Sequence, residues 1–336
     1  MVRLFFSLLL ASVVILLNSS AVLAWGCRGH ETVALMALSD ITPAHAQASN
    51  ALLTKFPSTT TIMCKEISEM ATAAHESTWA DDYRVKHPET GNFHFLDLPF
   101  VGNGDVETLC EHGCTPHAIA DQIAQFQSNP GSAAAADALR FLIHLVGDAH
   151  QPPHDITNND RGGNCIPVDF LTTTSKRHVD SHTGKVTYDP ELHSVWDKYI
   201  IDEVLIGNAT EADFANRLLQ AAQPHRSEWR MVTLDDTIEN QILTWVSDAH
   251  QLAIQVGYAN LVSGPQHKSI AAGTLAGPDT LQNCSDNGFQ DKIAKKNVQI
   301  NQTYVDSAGP VVEEQLEKAG LRLAALLDAL WTSVGQ

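Results

Sequence analysis

Apolar residues recur along this chain at the three- and four-residue steps of an α-helix, while strict alternation is scarce. Ser132 stands where an N-cap belongs. It is followed by an alanine run, by Ala138, Leu139, Leu142, Ile143 and Val146 at helical spacing, and by Pro152-Pro153 as a stop. Thr210 with Asp213 resembles a capping arrangement for a helix through Leu219, and Asp236 can start another that carries Ile238, Ile242, Trp245, Ala249 and Leu252. Pro310 reads as the opening of a last helix. Glu313 and Glu314 would sit in its first turn, and Leu316, Leu323, Leu327, Leu330 and Trp331 would form its apolar side. Residues 93–98 read as extended, β-branched pairs in residues 168–188 suggest a hairpin, and residues 257–288, with Gly264-Pro265 and Gly277-Pro278, read as an irregular surface loop or lid. These patterns predict an all-α fold: one mainly helical domain over residues 25–336, with a minor β-hairpin.

The first 24 residues stand apart. Arg3 precedes an apolar run of 14 residues, then a polar patch, then Val22-Leu23-Ala24, which predicts a signal peptide cleaved after Ala24. The run is shorter than the roughly 18 residues a membrane span needs, so export to the periplasm or the medium is expected rather than anchoring. Export makes disulfides the expected state of Cys27, Cys64, Cys110, Cys114, Cys165 and Cys284, with Cys110 and Cys114 the favoured short loop. No Cys-x-x-Cys pair argues for thiolate-bound zinc. Asn208, Asn283 and Asn301 head glycosylation sequons. The balance of 21 Lys plus Arg against 39 Asp plus Glu, a net charge of −18, argues against a protein that holds duplex nucleic acid by neutralising phosphates. Any anionic substrate needs a local positive feature.

The candidate chemistry lies in the histidines and aspartates. His144 and Asp148 are four residues apart on a helical stretch and so share a face, and the prolines that follow turn the chain so that His154 can approach. His193 and Asp197 repeat the step. Either pair alone is more simply a helical ion pair, but two of them in one exported chain favour zinc, which takes imidazole and carboxylate ligands in a tetrahedral shell. Upstream, Trp79-Ala-Asp81-Asp82-Tyr83-Arg84 groups two carboxylates with a guanidinium, and Phe93-His94-Phe95-Leu96-Asp97 alternates polar and aromatic residues. The mature terminus would begin Trp25-Gly26-Cys27-Arg28-Gly29-His30, with an α-amino group able to bind metal near neutral pH.

Taken together, Trp25-Gly-x-x-Gly-His30, Trp79-Ala-Asp81-x-x-Arg84, Phe93-His94-Phe95-x-Asp97, His144-x-x-x-Asp148-x-His-Gln-Pro-x-His154, Gly162-Gly-Asn164 and His193-x-x-Trp-Asp197 resemble the S1/P1 nuclease family, which shares its fold with bacterial zinc phospholipases C. The resemblance implies three zinc ions. Asp81, His94, His144 and Asp148 would hold the first; His154, His193 and Asp197 the second; and the amine and carbonyl of Trp25, His30 and Asp148 the third. It also implies Asp81 and Arg84 as catalytic residues, and Phe95, Asp97 and Asn164 as a nucleobase pocket. The implied activity is hydrolysis of single-stranded DNA and RNA to 5′-phosphate products, with removal of 3′-phosphates from nucleotides, by a monomer. Three features depart from the family pattern: His150, Arg161 at a position that is apolar in some members, and a longer segment over residues 171–190. A zinc phospholipase C and a non-catalytic zinc-binding protein are the alternative readings.

Overall fold

The computed structural model of the protein describes residues 25–64, 72–102, 104–181 and 183–335; the segment read as a signal peptide, residues 1–24, lies outside the described residues. The chain is mainly α-helical with small sheets. Its eight longest described helices are α1 (Gly26–Asp40), α2 (Pro43–Lys55), α3 (Thr115–Ser128), α4 (Ala133–Asp148), α5 (Val195–Ile206, with the wide turns of a π-helix), α6 (Glu211–Ala221), α7 (Ile238–Leu252) and α8 (Gln302–Ser333).

The α4 helix is the axis of the molecule. The Ser132 hydroxyl accepts the Ala135 N–H at 3.1 Å, as the cap pattern predicts. From Ala138 to Asp148 every residue is buried. A helix buried on all sides must find partners for its polar side chains. Here they form one line at four-residue steps: Arg140, paired with Glu76 and donating to the Phe56 carbonyl, then His144, then Asp148. The α8 helix packs lengthwise on α1, and Gly320 lets them approach, since a Cβ there would lie 2.7 Å from the Cβ of Met36.

Several local expectations hold, and others are corrected. Thr210 caps α6 through the Asp213 N–H at 3.1 Å. Pro310 does not open the last helix. Asn301 caps it nine residues earlier, accepting the Tyr304 N–H at 3.0 Å, and Pro310 lies within it on a stretch where both it and Asp306, whose carbonyl it cannot serve, are exposed residues. The α7 helix starts at Ile238, after a turn in which Asp235 accepts the Thr237 N–H at 2.8 Å. Residues 93–98 are extended only from Phe95 onward, because Pro88–His94 forms 3₁₀ turns.

The hairpin is shorter than the predicted stretch. Lys176–Val179 pairs antiparallel with Val186–Asp189, whereas Val168–Phe170 joins a different sheet, parallel to Val298–Ile300. Residues 257–288 form a fixed wall. They contain the paired strands Val262–Ser263 and Lys268–Ser269, the Cys165–Cys284 disulfide, and hydrogen bonds between Gly277 N–H and the Asn158 carbonyl and between Asn158 Nδ2 and the Ala272 carbonyl. The other disulfides join Cys27 to Cys64 and, as expected, Cys110 to Cys114. One continuous core runs from Trp25 to Trp331.

Candidate metal centre and active site

Three groups of imidazoles and carboxylates close up at the C-terminal end of α4: His30 with His144 and Asp148, Asp81 with His94 and His144, and His154 with His193 and Asp197. Within each group the ligating atoms lie within 4.8 Å of one another, and every member is buried. They come from six separate stretches of chain. His144 and Asp148 come from α4, and His30 from α1, whose approach depends on Gly147, where a Cβ would lie 3.0 Å from the His30 ring. Asp81 sits on the short helix Trp79–Tyr83, His94 ends the Pro88–His94 turns, and His154 sits on the Pro152–Asp155 turn set by the two prolines. His193 and Asp197 span the entry into α5, which Glu191 caps by accepting the N–H groups of His193 and Ser194.

Asp148 is the hub. Its Oδ1 lies 3.3 Å from His30 Nε2, and its Oδ2 lies 2.9 Å from His94 Nδ1 and 3.2 Å from His144 Nε2. Asp81 faces the same two rings from the other side, 3.7 Å from His94 Nδ1 and 3.6 Å from His144 Nε2. Asp197 lies 3.4 Å from His193 Nε2 and 3.9 Å from His154 Nε2. The far ring nitrogens are anchored by backbone. His144 Nδ1 donates to the Ser77 carbonyl at 2.8 Å, His154 Nδ1 to the His94 carbonyl at 2.6 Å, and His193 Nδ1 to the Gly162 carbonyl at 2.8 Å. That fixes the tautomer and leaves each Nε2 to point inward as a lone-pair donor.

Four of the inward atoms are left without hydrogen bonds. His30 Nε2, His154 Nε2, His193 Nε2 and Asp148 Oδ1 are all buried and lack such a partner. Buried polar groups of this kind are rare unless something else satisfies them, and a cation fits this donor set. Burial also keeps most of the imidazoles in the neutral, metal-binding form. It lowers the pKa of His30, takes His94 and His193 down to about 4, and takes His154 down to about 3. His144 behaves oppositely: burial works against its proton, but the carboxylates of Asp148 and Asp81 outweigh it and raise the ring to about 9.

Arg84 is the only guanidinium among the predicted site residues, and its Nη2 lies 2.9 Å from Asp81 Oδ1. Trp25 is fully buried against the cluster, with its indole N–H donating to the Gly147 carbonyl at 2.8 Å and its own carbonyl accepting the Gly29 N–H at 3.0 Å. Phe95 and Asp97 lie on the extended segment after His94, and Asn164 lies on the turn whose Gly162 carbonyl anchors His193. Asn164 Nδ2 donates to the Arg161 carbonyl at 2.7 Å. Burial pushes Asp97 up to about 6, against the pull of the Arg161 guanidinium. His150 belongs elsewhere: it is buried, donates to the Val146 carbonyl at 2.7 Å and accepts from Arg322 at 2.7 Å.

Three supporting residues were not singled out in the sequence. Ser77 acts through a carbonyl, which no side-chain pattern reveals. Gln151 donates to Asp197 and stands inside the His-Gln-Pro-Pro-His run, so its position was visible but its role was not. Asp160 ties the Gly162 turn together, accepting from the N–H groups of Asn158 and Gly163 and from the Tyr258 hydroxyl at 2.9 Å.

Known proteins are similar to this chain in sequence. The chain is 29% identical to "Nuclease P1" of Penicillium citrinum over 89% of its length and 95% of that protein. It is 27% identical to "Nuclease S1" of Aspergillus oryzae over 91% of both chains, and 24% identical to "Endonuclease 2" of Arabidopsis thaliana over 91% of its own length and 90% of the plant protein. The S1/P1 Nuclease family profile matches residues 25–332, which takes in every helix that builds the centre. The chain therefore belongs to the S1/P1 nuclease family, and its activity is that of a nuclease, hydrolysis of phosphodiester bonds.

Proposed function

We propose that the protein is an exported, zinc-dependent, single-domain nuclease that cuts single-stranded DNA and RNA, leaves 5′-phosphates and also removes 3′-phosphates from nucleotides. The carrying observation is the set of three buried His/carboxylate groups, two of them sharing His144, in which His30 Nε2, His154 Nε2, His193 Nε2 and Asp148 Oδ1 have no hydrogen bond. Asp81, His94, His144 and Asp148 would hold one zinc, His154, His193 and Asp197 a second, and Trp25, His30 and Asp148 a third. Bound zinc supplies Lewis acidity and lowers the pKa of water toward neutrality, which is what a phosphodiester attack at ordinary pH needs.

The chain's own residues do the rest. Asp81 is oriented by Arg84 and accepts a proton at Oδ2 while Oδ1 keeps the ion pair. Arg84 presents its guanidinium to the equatorial oxygens of the scissile phosphate, where negative charge accumulates. Phe95 offers a face on which an unstacked base can lie, and Asp97 and Asn164 bond its edge. A base held in a duplex cannot reach this pocket without first leaving its stack, which supports a single-strand preference. The disulfides, and an apolar stretch before Trp25 too short for a span, support export; no described helix is long and apolar enough to cross a membrane. The test is product analysis of a single-stranded oligonucleotide with protein beginning at Trp25, with and without chelator, beside a phosphatidylcholine control. Chelator-sensitive 5′-phosphate fragments are expected. An intact oligonucleotide with hydrolysed lipid would replace this reading with a phospholipase.

A further inference from the structure

Charge is not spread evenly over this acidic chain. Residues 176–189 and 289–296 together hold six Lys or Arg against three Asp, whereas the whole chain stands at −18. The fold brings these two stretches together. The hairpin of Lys176–Val179 and Val186–Asp189 lies against the short helix Phe289–Ala294, with Asp291 accepting from Arg177 Nε at 2.9 Å and from the Tyr188 hydroxyl at 2.6 Å. Lys176 adjoins Arg177 and Lys292 adjoins Asp291, so two groups of cations meet across that ion pair. The other two carboxylates are engaged locally: Asp189 accepts the Tyr199 hydroxyl at 3.0 Å, and Asp180 accepts the Thr183 N–H at 2.7 Å in the hairpin turn. Lys176, Lys185, Lys292, Lys295 and Lys296 are exposed, and no ion pair among the described residues holds them.

This basic ridge borders the centre. Gln290 Nε2, from the same short helix, donates to the Asn164 carbonyl at 3.2 Å. The hairpin leads through Pro190, whose carbonyl accepts Ser175 Oγ at 2.6 Å, into Glu191 and the metal-centre residue His193. A mononucleotide seated at the centre ends there. A longer strand carries a further negative charge at every nucleotide and has to cross the rim of a protein whose overall charge repels it. We propose that the ridge of Lys176, Lys185, Lys292, Lys295 and Lys296 binds the sugar-phosphate backbone of a single strand beyond the nucleotide held at the centre. Lysines act on phosphates as mobile point charges and carry no base readout, so this contact is independent of sequence and sensitive to salt. The inference rests on the nuclease reading above and deepens it.

The test compares hydrolysis of an oligothymidylate of about a dozen nucleotides with that of a 3′-mononucleotide over a range of salt, using the zinc-loaded protein. If about three phosphates meet the ridge, log KM for the strand should rise with log salt about 2 units more steeply than log KM for the mononucleotide. The triple variant Lys176→Gln, Lys292→Gln, Lys295→Gln should remove most of that difference and raise KM for the strand about tenfold at low salt. Its kcat, and both constants for the mononucleotide, should stay at wild-type values, and the matching triple Lys→Arg variant should keep the wild-type KM. Equal salt slopes for the two substrates, or an unchanged strand KM in the triple Gln variant, would overturn the proposal while leaving the nuclease reading intact. An unchanged strand KM together with lost sedimentation on phosphatidylglycerol vesicles would reassign the ridge to an anionic lipid surface. Should neither substrate be hydrolysed, the nuclease reading fails by itself. Fluorescence anisotropy of the uncut, labelled strand with wild type and triple Gln variant then decides the ridge separately, equal affinities overturning it.

Discussion

At the scale of single residues, Arg84 and Asp81 divide their work in a way that mutation can separate. Asp81 faces two imidazoles of the cluster, whereas Arg84 is paired with Asp81 and is partly open to solvent. Removing Arg84 should therefore leave metal content unchanged and weaken only the stabilisation of charge on the phosphoryl oxygens. Loss of one such donor costs about 10²–10³ in rate. Arg84→Ala is expected to show that loss in kcat with wild-type zinc stoichiometry, whereas Asp81→Asn should lower both. An R84A enzyme with undiminished kcat would show that the guanidinium does not meet the reacting phosphate. These two residues were legible through the family resemblance of Trp79-Ala-Asp81-x-x-Arg84, since the stretch by itself reads as a solvated face. Ser77, whose carbonyl aims His144, was not, since any residue type supplies a carbonyl.

At the scale of elements, legibility follows how local the cause is. The Ser132 and Thr210 caps are three-residue events and were readable directly, as was the four-residue step from His144 to Asp148. Pro310 misled because a proline signals a helix start only when nothing upstream caps better, and Asn301 does. The wall over residues 257–288 is held by Cys284 and by contacts with residues 158–161, more than a hundred positions away, which no window could contain. The α8 helix also carries a testable electrostatic load. Glu317 is buried beside Glu313 and Glu314, and burial first, then those two charges, push its pKa to about 7 against the pull of Arg217. The folded state thus holds a proton that the unfolded chain, titrating near 4.3, has released. The ionisation penalty is absent below about pH 4, grows as pH rises, and is complete above about 7. Glu317→Gln should raise stability at pH 8 by about 1 kcal/mol, after allowing for solvent on its open side, and make no difference at pH 4. Denaturant midpoints at the two pH values give the answer, and a gain of equal size at both would assign the effect to packing instead.

At the scale of the whole molecule, the centre acts as a staple as well as a site. It gathers side chains from α1, α4 and α5 and from the Trp79–Tyr83, Pro88–His94 and Pro152–Asp155 turns, so its integrity depends on most of the fold between residues 25 and 206. Without metal, Asp148 and the inward imidazole nitrogens are buried polar groups that the unfolded chain would hydrate. Metal that binds only the folded state adds stability by mass action, about 4 kcal/mol for each site held at a thousandfold excess over its dissociation constant. For a chain of this size each kcal/mol is worth roughly 2–4 °C, so even one such site moves the midpoint by about 10 °C. Thermal unfolding followed before chelation, after chelation and after return of zinc should show a large fall and its recovery. The three disulfides should slow any larger collapse, because they hold the wall and the start of α1 independently of metal. Zinc loss verified by elemental analysis with no change in midpoint would mean that the clustered carboxylates and imidazoles are satisfied by the fold alone. In that case the orphaned nitrogens would need another partner, such as ordered water, and the centre would not be the structural keystone that its position at the end of α4 implies.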